Sequence, residues 1–181
     1  MKTIGLIGGM SWESTALYYR QINALVKARL GGLHSARLVL WSFDFDEIAA
    51  LQATGDWHAA TARMVEAGQA LKRAGAEALV ICTNTMHKMA GEVEAGAGIP
   101  VLHIADATAA AIRTAGLLKV GLLATRFTME QDFYVGRMKE RYGIEAIVPD
   151  EVGRGMVHQI IYDELCKVIH RYFVGTPEVT R

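Results

Sequence analysis

The chain has 181 residues, of which 51% are hydrophobic and 21% are charged, and its 19 Lys and Arg balance its 19 Asp and Glu to a formal net charge of zero. This composition is typical of a globular protein that buries a core, and it excludes a disordered chain. The balanced charge provides no general field that would attract nucleic acid or an anionic membrane surface.

The first hundred residues alternate short apolar strands with amphipathic helices. Strands are predicted over residues 3–7, 37–43 and 78–82, and helices over 12–30, 46–53, 57–74 and from about 86 to 95. Ser11 is the predicted N-cap of the first helix, with Glu13 in the first turn, where the helix dipole favours negative charge. The second strand is a continuous apolar run, which indicates a strand covered on both faces.

The alternation restarts near Pro100. Further strands are predicted over residues 101–104, 119–124 and 144–148, and helices over 106–116, 128–142 and 153–173. Asp106 is the predicted cap of the first of these helices, and residues 128–131 have the form of a capping box that opens the second.

Repeated alternation of strands and helices predicts parallel sheets with right-handed crossovers. We therefore predict an α/β protein of two lobes, residues 1–99 and 100–181, each with a parallel sheet flanked by helices, the second lobe being short of strands.

The cysteine content and the absence of targeting segments favour a cytoplasmic protein. The two cysteines, Cys82 and Cys166, cannot form a disulfide framework, which indicates a reducing compartment. The N-terminal residues lack the apolar stretch of a signal peptide, and no apolar run approaches the roughly 20 residues that span a bilayer. We expect neither a membrane nor a nucleic-acid partner.

Three predicted strand ends carry small, polar or reactive residues: Gly8 to Ser11, Cys82 to Thr85, and Ala124 with Thr125. In open parallel sheets ligands bind beyond the carboxyl ends of the strands, and a following helix N-terminus favours a carboxylate or phosphate. If the first and third strands are neighbours, their loops face a common crevice. Alternatively, the glycines make a tight turn and the hydroxyls only cap helices. The glycine spacing does not match a dinucleotide or Walker motif.

Cys82 is the strongest single candidate for a reactive residue, because it ends a predicted buried strand just before a helix N-terminus. Such a setting lowers the pKa of a thiol from about 8.5 toward neutrality. A thiolate there can act as a nucleophile or as a proton-transfer base. The alternative is a small buried hydrophobic residue, as most free cysteines are. The polar side chains of Thr83, Asn84 and Thr85 favour function, because they could fix an anionic substrate.

Other candidate residues are better explained by packing. Cys166 and His170 share a predicted helix face with His158, but no CxxC or HExxH pattern accompanies them, so we expect no metal site. His103 follows a buried strand and is expected to be a satisfied core histidine. A GxSxG motif is absent, so a serine hydrolase has no support.

Four segments together resemble the aspartate/glutamate racemase superfamily, and most closely its amino-acid racemase branch. They are Gly8-Gly9-Met10-Ser11-Trp12-Glu13-Ser14-Thr15, Cys82-Thr83-Asn84-Thr85-Met86-His87, His103-Ile104-Ala105-Asp106-Ala107-Thr108 and Asp163-Glu164-Leu165-Cys166. The resemblance runs from Met1 to about Cys166. It implies two pseudo-symmetric α/β lobes with the active site between them, no cofactor, and commonly a dimer.

The resemblance also implies a mechanism. Two thiols on opposite sides of the substrate remove and return the Cα proton, one as thiolate base and one as thiol acid. Hydrogen bonds to the α-carboxylate stabilise the charge that develops on deprotonation. The resemblance makes Cys82 the first thiol. The substrate-binding residues that it implies are Met10, Ser11, Gln52, Thr83, Asn84, Thr85 and, from the facing lobe, Thr125.

The sequence departs from the family pattern after Cys166. The second thiol of the family lies in a Gly-Cys-Thr-Glu segment that this sequence does not contain, and Cys166 belongs to a helix pattern rather than replacing it. We therefore expect a truncated family member with an incomplete second lobe, whose exposed core surface favours a homodimer. Three functions stay open: a racemase of an amino acid such as aspartate or glutamate, a one-thiol isomerase or decarboxylase of small dicarboxylates, and a non-catalytic protein that binds a carboxylate.

Overall fold

The computed structural model describes residues 1–166, and the chain divides into two compact units, Met1–Ala107 and Thr108–Arg181. The sequence places the restart of the pattern earlier, near Pro100. The later division has a physical reason, because Val101 forms a parallel bridge with Leu79 and the backbone N–H of Leu102 donates to the Leu79 carbonyl at 2.8 Å. Residues 101 and 102 are thereby attached to the sheet of unit 1.

Unit 1 is built on a parallel sheet with the strand order β2-β1-β3. The strands are β1 (Ile4–Gly8), β2 (Leu38–Ser42) and β3 (Ala78–Ile81). Strand β1 is central, because Ile7 pairs with Trp41 on one side and with Ile81 on the other. The chain therefore leaves β1 toward one edge of the sheet and returns to the opposite edge. Such a reversal is a topological switch point, where ligands bind beyond the carboxyl ends of the strands.

The helices of unit 1 lie between its strands and after them. They are α1 (Trp12–Leu30), α2 (Phe45–Thr54), α3 (Trp57–Arg73), a 3₁₀ helix (Thr85–Met89), α4 (Ala90–Ala97) and α5 (Ile104–Thr114), the last of which runs on into unit 2. Helix α3 buries an apolar stripe at helical spacing against the sheet and α4. The stripe consists of Ala60, Met64, Ala67 and Leu71. The core of unit 1 lies between these layers.

The structure confirms the predicted helices over 12–30 and 57–74 and the N-cap at Ser11, whose side chain accepts from the backbone N–H of Ser14. The prediction that the second strand is covered on both faces is wrong. Strand β2 is an edge strand of the described sheet, and Leu40 is 48% exposed. An apolar run indicates a strand but does not show whether other layers cover both of its faces.

The strand predicted over residues 101–104 is reduced to the bridge at Val101, because α5 begins at Ile104. Asp106 is therefore inside the first turn of α5 rather than its cap. His103 precedes the helix instead, and its Nδ1 accepts a hydrogen bond from the backbone N–H of Ala105 at 3.2 Å.

In the described part of unit 2, a parallel pair of strands is flanked by helices. Its elements are β4 (Lys119–Gly121), α6 (Arg126–Glu130), α7 (Asp132–Tyr142), β5 (Glu145–Ile147), α8 (Glu151–Gln159) and a π-helical segment (Ile160–Leu165). The predicted α/β class with parallel sheets flanked by helices is confirmed. Up to residue 166, no helix has both the length and the apolar composition that crossing a bilayer requires.

Two helix boundaries in unit 2 differ from the predictions. The capping box over 128–131 is wrong, because Thr125 caps α6 by accepting from the backbone N–H of Thr128, and the chain is extended at Gln131 before α7. The final predicted helix begins at Glu151 rather than Gly153, because Asp150 caps it, and its predicted end lies outside the described residues.

Candidate functional site

The carboxyl ends of the three strands of unit 1 meet at the switch point. The backbone N–H of Cys82 donates to the carbonyl of Ile7 at 2.9 Å, and that of Phe43 donates to the carbonyl of Gly8 at 3.0 Å. The expectation that the first and third strands are neighbours is confirmed. The glycine loop after β1 and the loop after β3 therefore lie side by side.

The glycine loop is held by close contacts and by one threonine. Gly9 has a φ of +86°, and a Cβ at that position would lie 2.5 Å from the backbone nitrogen of Phe43 and closer still to its carbonyl oxygen. The Oγ1 atom of Thr15 accepts from the backbone N–H of Gly9 at 2.9 Å and donates to the carbonyl of Ser11 at 3.0 Å. Only glycine permits this approach of the loop to the end of β2.

The Cys82 thiol is buried at the end of β3, with 1% of the residue exposed. Burial raises its pKa to about 12, because a thiolate loses its hydration there. The expected lowering of this pKa is wrong. Cys82 is followed by a short 3₁₀ helix rather than an α-helix, and α4 begins only at Ala90, so the α-helix expected directly after Cys82 does not direct its N-terminus at the sulfur. At neutral pH Cys82 is a thiol.

The three residues after Cys82 differ in exposure. Asn84 is exposed, Thr83 is half-buried, and Thr85 is buried within the 3₁₀ helix. Asn84 and Thr83 are therefore the residues of this loop whose side chains stay accessible to solvent. Thr85 contributes to the interior of unit 1.

The other predicted site residues of unit 1 lie around the same loops. Gln52 is buried on α2, and its Nε2 lies 3.1 Å from the Sδ atom of Met86, which places it against the loop that follows Cys82. Met10 is buried in the core of unit 1, and Ser11 is half-buried and caps α1. The fold thus gathers these three residues near the switch point, although Met10 is directed into the core.

Thr125 belongs to unit 2, where its side chain caps α6 and its Oγ1 lies 3.2 Å from the Oγ1 of Thr128. Cys166 is half-buried at the end of the π-helical segment. Burial, together with the nearby Cys166, raises the pKa of Tyr162 to about 12. The site role of Thr125 stays a prediction.

A small ion-pair network and a histidine lie near Thr125 in unit 2. Glu130 accepts from Arg154 at 2.9 Å and from Arg126 at 3.4 Å. Burial and the positive charge of Arg126 lower the pKa of His158, whose Nδ1 accepts from the Arg126 backbone N–H at 3.3 Å. Of the metal-ligand pattern considered above, His170 lies outside the described residues. Over residues 1–166 no three His, Cys, Asp or Glu side chains are grouped as metal ligands.

Sequence reasoning gave no role to His87, which the structure places at the centre of the loop after Cys82. It is buried, its Nδ1 lies 2.7 Å from the carbonyl oxygen of Thr83, and its Nε2 lies 3.1 Å from the backbone nitrogen of Ile104. The position of His87 within the Cys82-Thr83-Asn84-Thr85-Met86-His87 motif was the available sequence signal.

Known proteins resemble this chain over most of its length. A family model described as Asp/Glu/Hydantoin racemase matches residues 7–171. A candidate Asp/Glu racemase from Yersinia pestis is 60% identical over 92% of this chain and 72% of that chain, with a TM-score of 0.85. An aspartate racemase homologue from Pyrococcus horikoshii OT3 is 34% identical over 91% and 72% of the two chains, with a TM-score of 0.77. The Picrophilus torridus aspartate racemase, 22% identical over 90% and 70%, shares the fold with a TM-score of 0.70.

Proposed function

The chain belongs to the Asp/Glu/hydantoin racemase family, and we propose from that premise that it is a cofactor-independent racemase of aspartate or glutamate that uses the Cys82 thiol for proton transfer at Cα. The observation that carries this proposal is the position of Cys82 at the carboxyl end of β3, beside the glycine loop at the switch point of the sheet. The names of the Yersinia and Pyrococcus proteins support the choice of substrates.

In this mechanism Cys82 begins as the acid. Removal of the Cα proton from the opposite face of the substrate leaves a carbanion, and Cys82 then gives its proton to Cα, so that an S–H bond breaks and a C–H bond forms. The resulting thiolate removes a Cα proton when the reaction runs in the other direction. The family resemblance assigns the opposite face to a second thiol, which would accept that proton as a thiolate. Its Gly-Cys-Thr-Glu segment is not contained in residues 1–181, so racemisation by this chain requires another base on that face.

The raised pKa of Cys82 determines how much free energy is needed to form its thiolate. A thiol whose pKa is raised from 9.0 to about 12 disfavours its thiolate by about 4 kcal/mol relative to an ordinary thiol. The ammonium group of a bound amino acid supplies a positive charge that offsets part of this cost. The exposed Asn84 amide and the Thr83 hydroxyl can donate to the substrate carboxylate, where negative charge develops in the transition state.

Hydrogen–deuterium exchange at Cα tests the proposal directly. Each enantiomer of aspartate and glutamate is incubated with the 181-residue chain in D₂O, and Cα deuteration and enantiomer composition are followed separately. The proposed racemase has a base on the opposite face, so we expect both enantiomers to exchange and to interconvert. Slow exchange of one enantiomer with retained configuration would mean that Cys82 is the sole working base and that this chain is not a racemase. Racemisation accompanied by exchange would mean that another group acts on the opposite face.

Two variants decide the role of the sulfur. Cys82→Ala should abolish racemisation, and Cys166→Ala is the matched control that should retain it, because it removes the other cysteine of the sequence. Unchanged exchange in the Cys82→Ala variant would discard Cys82 as the base.

A decarboxylase is the second candidate, because a buried neutral thiol is also a suitable proton donor to the carbanion left when a small dicarboxylate loses CO₂. Release of CO₂ from a substituted malonate, with one solvent deuteron incorporated at the product carbon, would favour it. Binding of aspartate without exchange or CO₂ release would favour a carboxylate-binding protein.

We also propose that the protein is a homodimer and acts in the cytoplasm. Helix α1 exposes the large apolar side chains of Leu17, Tyr19 and Leu25, of which Leu25 is 61% exposed. Sedimentation equilibrium of the chain tests the dimer, and a monomer at micromolar concentration would contradict it.

A further inference from the structure

His87 is a buried residue that the proposed mechanism does not use, and both of its ring nitrogens face the backbone. Only 2% of the residue is exposed. Its Nδ1 lies 2.7 Å from the carbonyl oxygen of Thr83, the residue next to Cys82. Its Nε2 lies 3.1 Å from the backbone nitrogen of Ile104, the first residue of α5. The ring therefore connects the loop after β3 to the start of a helix 17 residues away.

These two partners define the tautomer of the ring. A carbonyl oxygen can only accept a hydrogen bond, so Nδ1 carries the proton and donates to Thr83. A backbone N–H can only donate, so Nε2 offers its lone pair to Ile104. A ring protonated on both nitrogens would set Nε2–H against the N–H of Ile104, and the reversed tautomer would leave both contacts unfavourable. His87 is therefore neutral and protonated at Nδ1.

We propose that His87 is a positioning residue for Cys82 and the substrate-binding loop, and that it acts in this single neutral tautomer. The backbone N–H of Cys82 is bonded to Ile7 of β1, and the next carbonyl along the chain, that of Thr83, is bonded to His87. The peptide segment that carries the thiol is thus held on one side by the sheet and on the other by the imidazole. Its effect on turnover rests on the proposed racemase function, whereas the tautomer and the tether do not.

The neighbouring ring supports the orientation of the imidazole. His103 packs against His87 with ring centroids 4.6 Å apart and planes inclined at 60°. The Nδ1 of His103 already accepts from the backbone N–H of Ala105 at 3.2 Å. The two histidines therefore make different contacts. His103 binds the backbone at the start of α5, whereas His87 connects the start of α5 to the loop after Cys82.

Nitrogen NMR of the wild-type chain tests the tautomer without any substrate. Long-range ¹H–¹⁵N spectra at neutral pH should show a protonated, pyrrole-type Nδ1 and an unprotonated, pyridine-type Nε2 for His87. A pyrrole-type Nε2, or two protonated nitrogens at neutral pH, would overturn the inference.

A pair of amide variants tests the tether. The side-chain amide of Asn reaches about as far as Nδ1, whereas that of Gln reaches about as far as Nε2, so His87→Asn can keep the bond to Thr83 and His87→Gln cannot. A displacement of about 1 Å can cost about 100-fold in rate. We therefore expect kcat for Cα exchange to fall about 100-fold in His87→Gln, with a smaller change in KM, and to be largely restored in His87→Asn. The same substitution at the exposed His58 is the control.

The rate at which iodoacetamide modifies Cys82 provides a readout that does not depend on turnover, with Cys166 distinguished by peptide mass. Loss of the tether should make Cys82 react about tenfold faster in His87→Gln than in the wild type or in His87→Asn, because the loop opens more often. Equal kcat and equal modification rates in the Asn and Gln variants would overturn the proposal. If the wild type shows no exchange, the racemase proposal fails, while the tautomer and the modification rates still decide the role of His87.

Discussion

Replacement of Gly9 by alanine should destabilise unit 1 by about 2–3 kcal/mol. Two costs combine at this position. The φ of +86° places an L-residue in a left-handed conformation, which costs about 1–2 kcal/mol. The added Cβ would also collide with the backbone of Phe43, and relief of that collision stretches the hydrogen bond from Phe43 N–H to the Gly8 carbonyl, which contributes about 1 kcal/mol.

Two other glycines separate these costs. Gly55 has a φ of +72° and nothing within 4 Å of the added Cβ, so Gly55→Ala should cost only the left-handed conformation, about 1–2 kcal/mol. Gly91 lies inside α4 with neither a positive φ nor a neighbour, so Gly91→Ala should stabilise the protein by about 0.5–1 kcal/mol. Urea unfolding followed by tryptophan fluorescence measures all three in unit 1, since that unit contains every tryptophan of the chain, Trp12, Trp41 and Trp57.

The order of the three variants is the decisive result. The collision at the end of β2 requires Gly9→Ala to be clearly less stable than Gly55→Ala. If the two variants lose the same free energy of unfolding within about 0.5 kcal/mol, the contact between the added Cβ and the backbone of Phe43 does not destabilise the protein. The claim that the close approach of the loop to β2 requires glycine at position 9 would then be wrong.

Two further predictions follow from the pKa shifts. Above pH 9 the unfolded chain releases the Cys82 proton, while the folded protein keeps it up to about pH 12, so the free energy of unfolding should fall over this window by up to about 1.4 kcal/mol per pH unit. Urea unfolding of Cys82→Ala at the same pH values should show a shallower fall. Parallel curves for the wild type and the variant would contradict the raised pKa. In unit 2 the hydrogen bond from Arg154 is the main cause of the lowered pKa of Glu130, so Arg154→Met should raise that pKa more than Arg126→Met does. Titration of the Glu130 carboxyl followed by ¹³C NMR measures the pKa in both variants. A larger rise in Arg126→Met would refute the main role of Arg154.

The helices that the sequence predicts best are those with local signals at both ends. Helix α1 has its bounds as expected, because Ser11 caps its start and Gly31 ends it with a positive φ. The partly open face of β2 was missed, since the coverage of a strand depends on contacts between distant segments. Likewise, residues 101–104 have the composition of a strand, but the helix that begins at Ile104 leaves room only for one bridge.

The candidate site also has features that the sequence predicts and features that it does not. The rule that ligands bind beyond the ends of parallel strands was enough to bring the glycine loop and Cys82 together, because it needs only the order of β1 and β3. The pKa of Cys82 could not be predicted, because it depends on how deeply the sulfur is buried and on whether the following turn is α or 3₁₀. The bond from His87 to Ile104 was also hidden, because it joins segments 17 residues apart.

A neutral resting thiol changes which half of the proposed reaction is difficult. A sulfur with a pKa of about 12 is rarely ionised at neutral pH, but each thiolate that forms is a stronger base than an ordinary one. The reaction itself can generate that base, because delivery of the Cys82 proton to the substrate carbanion leaves a thiolate already directed at the same Cα. The direction of that sulfur then decides the rate, and a loop tethered on both sides, by Ile7 and by His87, provides the direction without a cost at the moment of transfer.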